Sequence, residues 1–328
     1  MNPLFKKLET PAYDFFKTNP DLKNCIYLTL SGSHGYGTNN DNSDIDLRGV
    51  LIEPSSTLFG LQTFEQFEER ETDTVIYGLK KFVALCAHGN PNALELLGTH
   101  EDSIYQITPE GQLLRDHSHL FLSQRVIQSY GNYATAQFRR LSNALCHDHY
   151  SETEQELHLR NSLNSQIEHF NQSYHSFEKS QIEIFLPKNE EEPQLLFNIH
   201  LANYPVRDFA NIYSEIANTI KTYNKLNHRN RKKDDLHLYK HAMHLIRLLK
   251  MGTDILHGKG IHTRRTHDLP LLIDIRNGKL SFSEIFDLAD QVKNDFDQAA
   301  KATALPEKPN LEKIEELMKI IYHSVLPN

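Results

Sequence analysis

The sequence contains no tryptophan and only three cysteines, and no apolar run approaches the ~20 residues that a membrane span requires. An odd number of widely spaced cysteines (Cys25, Cys86 and Cys146) fits neither a disulfide framework nor a zinc site, so a reducing compartment is expected. The first residues also lack the apolar segment of a secretory signal. We therefore expect a cytoplasmic protein that has no membrane partner.

An excess of positive charge is missing as well. The 35 Lys and Arg against 43 Asp and Glu give a net charge of −8, which argues against indiscriminate nucleic-acid binding. Residues 1–120 hold nine basic and seventeen acidic residues, whereas residues 219–268 hold twelve basic and four acidic ones. An acidic part suits bound cations and a basic part suits phosphates, although a single charge run is most often a solvated surface.

The apolar pattern changes along the chain and predicts an α+β fold. Cys25–Leu30 and Asp44–Ile52 are short runs typical of strands, residues 64–77 resemble further strand, and residues 78–88 have helical spacing. Beyond about residue 125, helical spacing predicts helices over residues 125–146, 152–178, 206–227, 236–257, 282–301 and 310–325. The chain therefore divides into a sheet-containing domain, residues 1–125, and a mainly α-helical domain, residues 126–328.

Two acidic residues, Asp44 and Asp46, stand at the start of the second predicted strand. Residues i and i+2 of a strand point to the same face, so these carboxylates are expected side by side. Adjacent like charges need a proton or a cation to compensate them, and Mg²⁺ prefers such oxygen ligands. Alone, an Asp-x-Asp pair is more often solvated surface than a metal site.

A glycine-rich turn, Ser31 to Gly37, follows the first predicted strand. Backbone N–H groups and a hydroxyl in Ser31-Gly32-Ser33 can hold a triphosphate, helped by the start of a helix. Together, the turn and the Asp pair put a phosphate cradle and metal ligands at one edge of a sheet, a far more restrictive pattern than either feature alone.

The residues in this order, Gly32-Ser33…Asp44-Ile45-Asp46-Leu47-Arg48, resemble the signature of the DNA polymerase β-type nucleotidyltransferase superfamily. The longer stretch Gly32–Gly37…Ser43–Val50 is similar to the RlaP family, which is assigned to RNA repair. Softer similarities to that family extend along most of the chain, at Lys80–Phe82, Asn90–Leu97, His241–Leu249, Ile275–Gly278 and Leu305-Pro306.

The resemblance implies a mixed sheet with flanking helices and a nucleoside triphosphate donor. It also implies two Mg²⁺ ions, replaceable by Mn²⁺, held by three carboxylates that serve as catalytic and metal-binding residues. Asp44 and Asp46 match two of them. For the third we choose Asp73, which enters the β-branched run Thr74–Tyr77, with Glu71 as the alternative.

Candidate nucleotide-binding residues come from the turn, from the second strand and from one helix. Gly32, Ser33, His34 and Tyr36 belong to the family motif, and Arg48 follows the predicted metal ligands, where it can neutralise phosphate charge. In the helix predicted over residues 236–257, His244 and Arg247 share a face with His241 and can close over the triphosphate. The competing interpretation of that face is an ordinary polar helix surface.

These features predict a Mg²⁺-dependent nucleotidyltransferase with a catalytic domain over residues 1–125. The helical domain, residues 126–328, is then expected to complete the nucleotide and acceptor cleft. The predicted reaction transfers a nucleoside monophosphate from a triphosphate to an acceptor hydroxyl of RNA and releases pyrophosphate. Two alternatives stay open, namely a protein side chain or small molecule as acceptor and a non-catalytic nucleotide-binding protein.

Overall fold

The fold is taken from a computed structural model of the chain. It describes residues 3–58, 61, 63–149, 160, 163, 181–185, 195–200, 206, 209–210, 213–214, 216–217, 220 and 235–325. The predicted helices over residues 152–178 and 206–227 lie largely outside this set.

A mixed five-stranded sheet forms the centre of the N-terminal part. Its strand order is β3-β4-β2-β1-β5, in which β2 pairs with β4 in parallel and the other neighbours are antiparallel. A separate antiparallel pair, β6-β7, lies later in the chain. The strands are β1 (Cys25–Leu30), β2 (Leu47–Leu51), β3 (Gln66–Glu69), β4 (Thr74–Gly78), β5 (Ile104–Ile107), β6 (Gln181–Phe185) and β7 (Leu196–His200).

The described helices flank this sheet and dominate the C-terminal part, so the predicted α+β class is confirmed. They are α1 (Phe15–Thr18), α2 (Gly32–Tyr36), α3 (Ser55–Leu58), α4 (Leu79–Ala87), α5 (Pro91–Leu97), α6 (Pro109–Asp116), α7 (Arg125–His149), α8 (Asp235–Leu256), α9 (Leu269–Arg276), α10 (Phe282–Ala302) and α11 (Leu311–Val325). None of them is both long and apolar enough to span a lipid bilayer.

Local sequence explains where several helices begin. The Asn90 side chain accepts a hydrogen bond from the Ala93 N–H, and Pro91 stands at the first position of α5. Ser281 and Glu284 form a reciprocal capping box at the start of α10.

One apolar cluster packs the sheet against the N-terminal segment. Leu28, Leu30 and Leu47 belong to it, and Phe5 and Leu8 contribute from the start of the chain. Burial of such side chains stabilises the fold by about 1.5–3 kcal/mol each. The sheet is thereby anchored, which fixes the strand ends that carry the acidic residues.

The chain forms two compact units, residues 1–137 with 239–328, and residues 138–238. The second unit contains the β6-β7 pair and a small buried cluster that includes Leu163 and Ile184. The residue ranges of these units differ from those of the predicted domains, 1–125 and 126–328. The domain boundaries stay a prediction.

Two strand predictions need correction. The second strand begins at Leu47 rather than Asp44, so Asp44 and Asp46 precede it and the alternation of side chains along a strand does not apply to them. Residues 64–77 are not one strand, because β3 and β4 form a hairpin around a turn at residues 70–73. The helices predicted over residues 125–146, 236–257, 282–301 and 310–325 are confirmed as α7, α8, α10 and α11.

Candidate active site

Three chain segments meet at one end of the sheet because of the strand directions. Ser31 follows the end of β1, whereas Asp46 precedes the antiparallel β2 and Asp73 precedes β4, which runs parallel to β2. Backbone hydrogen bonds extend the pairing, from Ser31 N–H to the Asp46 carbonyl at 2.8 Å and from Leu47 N–H to the Asp73 carbonyl at 3.2 Å. The topology thus brings two acidic residues and the glycine-rich turn together.

The side chains of Asp46 and Asp73 line the same cavity, close enough that each shifts the pKa of the other. Burial, followed by the interaction with Asp73, raises the pKa of Asp46 to about 6, against the opposing effects of Arg48 and Lys240. Burial also acts to raise the pKa of Asp73, but the interaction with Asp46 and the charge of Arg48 outweigh it, so that pKa is lowered. Asp73 therefore loses its proton first and Asp46 keeps its own to a higher pH, because two neighbouring carboxylates repel each other when both are ionised.

Arg48 holds Asp73 in place. Its Nη2 atom donates to Asp73 Oδ1 at 2.9 Å, and its Nη1 atom donates to the carbonyls of Leu47 and Asp73. Asp73 has a φ of 42°, the left-handed conformation that Asp tolerates better than most residues. The Arg48 contacts orient the Asp73 carboxylate at the start of β4.

Gly32 begins α2 and lies directly against Asp46. It has a φ of 55°, and a β-carbon at this position would lie 1.8 Å from Asp46 Oδ2. Only glycine combines this backbone conformation with such a close approach. The turn is therefore shaped around the carboxylate, and its backbone closes one side of the site.

A cavity of about 230 Å³ opens beside these residues. It is lined by Ser31, Gly32, Tyr36, Asp46, Arg48, Asp73, Val75, Tyr77, Asn92 and Glu95. The lining combines two neighbouring acids, a guanidinium, a glycine turn and an aromatic wall, which suits a ligand with both a phosphate and an apolar part.

A buried ionic cluster supports the wall of this cavity. The Tyr36 hydroxyl donates to one Glu95 oxygen, and Arg247 Nη1 donates to the other at 3.0 Å. The Arg247 guanidinium also lies over the Tyr36 ring, 3.6 Å from its centroid. All three residues are at most 8% exposed, so each charge depends on its partner. Burial acts to lower the pKa of Arg247, but the nearby Glu95 carboxylate raises it.

His244 contacts Tyr36 edge-to-face, with ring centroids 6.0 Å apart. Burial, followed by the charges of Arg247, Lys240, His241 and Arg276, lowers the pKa of His244 to about 3. The imidazole is therefore neutral at physiological pH and contributes a hydrogen-bonding group rather than a positive charge.

Six of the residues proposed from sequence line the cavity, namely Ser31, Gly32, Tyr36, Asp46, Arg48 and Asp73. The others do not. Asp44 is exposed, Ser33 and His34 are buried, and His244 and Arg247 contact Tyr36. The ring of His34 contacts the Ser43 carbonyl at 3.3 Å. Glu71, the alternative to Asp73, is exposed in the β3-β4 turn.

Sequence reasoning assigned no role to four lining residues: Val75, Tyr77, Asn92 and Glu95. Two spacings could have indicated them. Val75 and Tyr77 alternate along β4, which Asp73 directly precedes, and Asn92 and Glu95 are three residues apart on a helix.

The carboxylate oxygens at the cavity fit part of the ligand set that a divalent cation needs. Asp46 and Asp73 supply neighbouring oxygen ligands, and Mg²⁺ is commonly held by one or two carboxylates together with water and substrate phosphates. Within the described part of the chain, no group of three or more Asp, Glu, His or Cys side chains is arranged to hold a metal ion. Asp44 is exposed, and its role as a metal ligand stays a prediction.

Comparison with known families decides the classification. The profile described as the RNA repair pathway DNA polymerase beta family, RlaP, matches residues 13–320, nearly the whole chain. The chain belongs to the RlaP family. No curated protein and no solved structure gives a significant match. The match confirms the resemblance seen in sequence, and RlaP membership points to a polymerase β-like nucleotidyltransferase that acts in RNA repair.

Proposed function

We propose that the protein is a Mg²⁺-dependent nucleotidyltransferase that transfers a nucleoside monophosphate from a nucleoside triphosphate to an RNA hydroxyl. The observation that carries the proposal is the pair of acids, Asp46 and Asp73, which line one cavity beside the Gly32 turn. Two neighbouring carboxylates favour a cation that compensates their charge. The adjacent turn suits a triphosphate.

In this reaction the acceptor oxygen forms a bond to the α-phosphorus, and the bond from that phosphorus to the pyrophosphate oxygen breaks. The acceptor hydroxyl releases its proton to water, and pyrophosphate carries away the bonding electrons. Asp46 and Asp73 would hold a divalent ion, which would neutralise charge on the transferred group. Arg48 fixes Asp73, and the Gly32 turn orients the triphosphate, so the protein contributes mainly position and charge.

Labelled triphosphates test the proposal directly. Each of the four α-labelled triphosphates is incubated with RNA, with protein or with the enzyme alone, in the presence of Mg²⁺ or Mn²⁺. We expect label on RNA, and we expect Asp46→Asn to reduce transfer about 100-fold or more, because a neutral amide holds the cation poorly. Asp14→Asn, which changes an exposed aspartate paired with Lys17, is the matched control. Equal activity of the two variants would refute the assignment.

Stability gives a second readout that does not depend on turnover. A cation that binds only the folded protein raises its stability, by about 2.7 kcal/mol at 100 times Kd. We expect Mg²⁺ to raise the melting temperature of the wild type and of Asp14→Asn but not that of Asp46→Asn. Without Mg²⁺, Asp46→Asn should be at least as stable as the wild type, because the substitution removes repulsion from Asp73.

A further inference from the structure

The strand β4 forms a continuous wall of the cavity. Val75 and Tyr77 line it from one face of β4, and Asp73 lines it from the turn that directly precedes the strand. Tyr77 lies two residues, about 7 Å, farther along β4 from Asp73 than Val75 does. Arg48 pairs opposite Val75 on β2. The wall therefore leads from the acidic pair to an aromatic ring.

The Tyr77 ring has a rigid support. It is half-buried, and its centroid lies 6.2 Å from that of Phe82, which is fully buried. Asn92 lines the same cavity from α5. Proteins recognise unpaired nucleobases with aromatic rings that stack on the base and with polar groups that hydrogen-bond to its edge. The Tyr77 ring, packed against Phe82, and the Asn92 amide are groups of these two kinds.

The strand order separates the two substrates. Gly32 follows β1, Asp46 precedes β2 and Asp73 precedes β4, and β2 lies between the other two strands. Phosphoryl transfer requires the attacking and leaving oxygens to lie roughly in line on opposite sides of the phosphorus. If the Gly32 turn holds the triphosphate, pyrophosphate leaves on the β1 side. The acceptor hydroxyl must then approach from the β4 side, where Tyr77 stands.

We propose that Tyr77 is an acceptor-binding residue that stacks on an unpaired base near the reactive end of a single-stranded RNA. The inference rests on the proposed nucleotidyl transfer and adds that the RNA acceptor is single-stranded near its reactive end, and from which side it enters. An exposed acid on the neighbouring β3, Glu68, would suit a cationic acceptor instead. The aromatic ring at the cavity wall favours the nucleic acid, and the test separates the two.

The experiment measures KM for donor and acceptor separately in the full-length protein, with a short oligoribonucleotide as acceptor. Loss of a stacked aromatic ring weakens binding about 5- to 150-fold per base, so Tyr77→Leu should raise the acceptor KM by a factor in that range. The donor KM should stay within about twofold. Tyr77→Phe keeps the ring and should restore most of the acceptor affinity. Tyr105→Leu removes an exposed tyrosine outside the cavity and serves as the control.

Acceptors that lack the base at the last or the penultimate position provide a double-mutant cycle. In the wild type, removal of the stacked base should raise the acceptor KM as much as Tyr77→Leu does. In Tyr77→Leu the same removal should have little further effect. Urea unfolding of each variant confirms that the compared proteins are folded.

Several results would overturn the inference. The first is that Tyr77→Leu raises the donor KM instead of the acceptor KM. The second is that removal of the Tyr77 ring and removal of the base have independent effects on the acceptor KM. The third is that the acceptor KM does not change. Transfer of label to a protein or to a cationic small molecule but not to RNA would refute the acceptor class and leave nucleotidyl transfer standing. If the wild type labels nothing, both proposals fail.

Discussion

Gly32 lies so close to Asp46 that a β-carbon on the glycine would be 1.8 Å from a carboxylate oxygen of the aspartate. The two residues come from different segments, since one begins α2 and the other precedes β2. The contact couples the conformation of the turn to the position of the acid. Substitution of the glycine is therefore expected to act on chemistry and not only on folding.

Gly32→Ala should reduce nucleotidyl transfer about 100-fold, because the new methyl group must displace the Asp46 carboxylate, and misplacement of a reacting group by about 1 Å has an effect of this size. The positive φ at this position adds about 1–2 kcal/mol of destabilisation. Transfer of an α-labelled triphosphate measures the first effect, and urea unfolding measures the second.

The variant Gly258→Ala is a control that has the backbone strain of Gly32→Ala but no steric clash. Gly258 has a φ of 76°, but a β-carbon there meets nothing within 4 Å. This variant should lose similar stability and keep its activity. If both variants lost activity equally, the contact with Asp46 would not explain the effect of Gly32→Ala.

The ion pair between Arg247 and Glu95 should contribute strongly to stability because both side chains are buried. Arg247→Met leaves the Glu95 carboxylate without its cation, which typically costs about 3–5 kcal/mol. Glu95→Gln in the same chain should recover part of that loss, and urea unfolding of the four proteins gives the coupling. As a control, Lys293→Met breaks the exposed pair with Asp297 and should cost under about 1 kcal/mol. Additive effects of the two buried substitutions would contradict the pairing.

The sequence allowed the glycine turn, Asp46 and the first strand to be predicted because they are local patterns. A short run rich in branched and aromatic residues identifies β1 without any knowledge of its neighbours. Asp44 shows the limit of such reasoning. Its expected place on a strand face depended on where β2 begins, and the strand begins only at Leu47.

The rest of the site depends on contacts that no local spacing encodes. Glu95 and Arg247 are 152 residues apart in the chain, and their ion pair joins α5 to α8. The approach of Asp73 to Asp46 requires the parallel pairing of β4 with β2. These features follow from the tertiary arrangement.

His244 should make stability depend on pH in a specific direction. Its pKa is about 3 in the folded protein, below the ~6.5 of an unperturbed histidine, so the unfolded chain binds one more proton between these values. The contribution of His244 to the free energy of unfolding is fully present above pH 6.5. It decreases as the pH falls toward 3, by at most about 1.4 kcal/mol per pH unit. When the pH is lowered from 7.5 to 5.5, the free energy of unfolding in urea should therefore fall by about 1 kcal/mol less in His244→Gln than in the wild type. Parallel pH profiles of the two proteins would contradict the lowered pKa, because they would show that this imidazole titrates alike in the folded and unfolded chain.

Tyr322 joins the C-terminal helix α11 to the sheet through a buried carboxylate. Its hydroxyl donates to Glu53 Oε2 at 2.8 Å, and Glu53 Oε1 accepts from the Lys80 N–H at 2.9 Å, in the first turn of α4. Glu53 is only 2% exposed, so Tyr322→Phe would leave one carboxylate oxygen buried without a donor. We expect a loss of about 1–3 kcal/mol in the free energy of unfolding.

Tyr105→Phe, which removes the hydroxyl of an exposed tyrosine, should change stability by no more than about 0.5 kcal/mol. Tyr322 does not line the cavity, so transfer activity per folded molecule should equal that of the wild type. Thermal and urea unfolding together with active-site titration distinguish these effects. A Tyr322→Phe protein as stable as the wild type would mean that water replaces the hydroxyl at Glu53, and that this hydrogen bond does not hold α11 against the sheet.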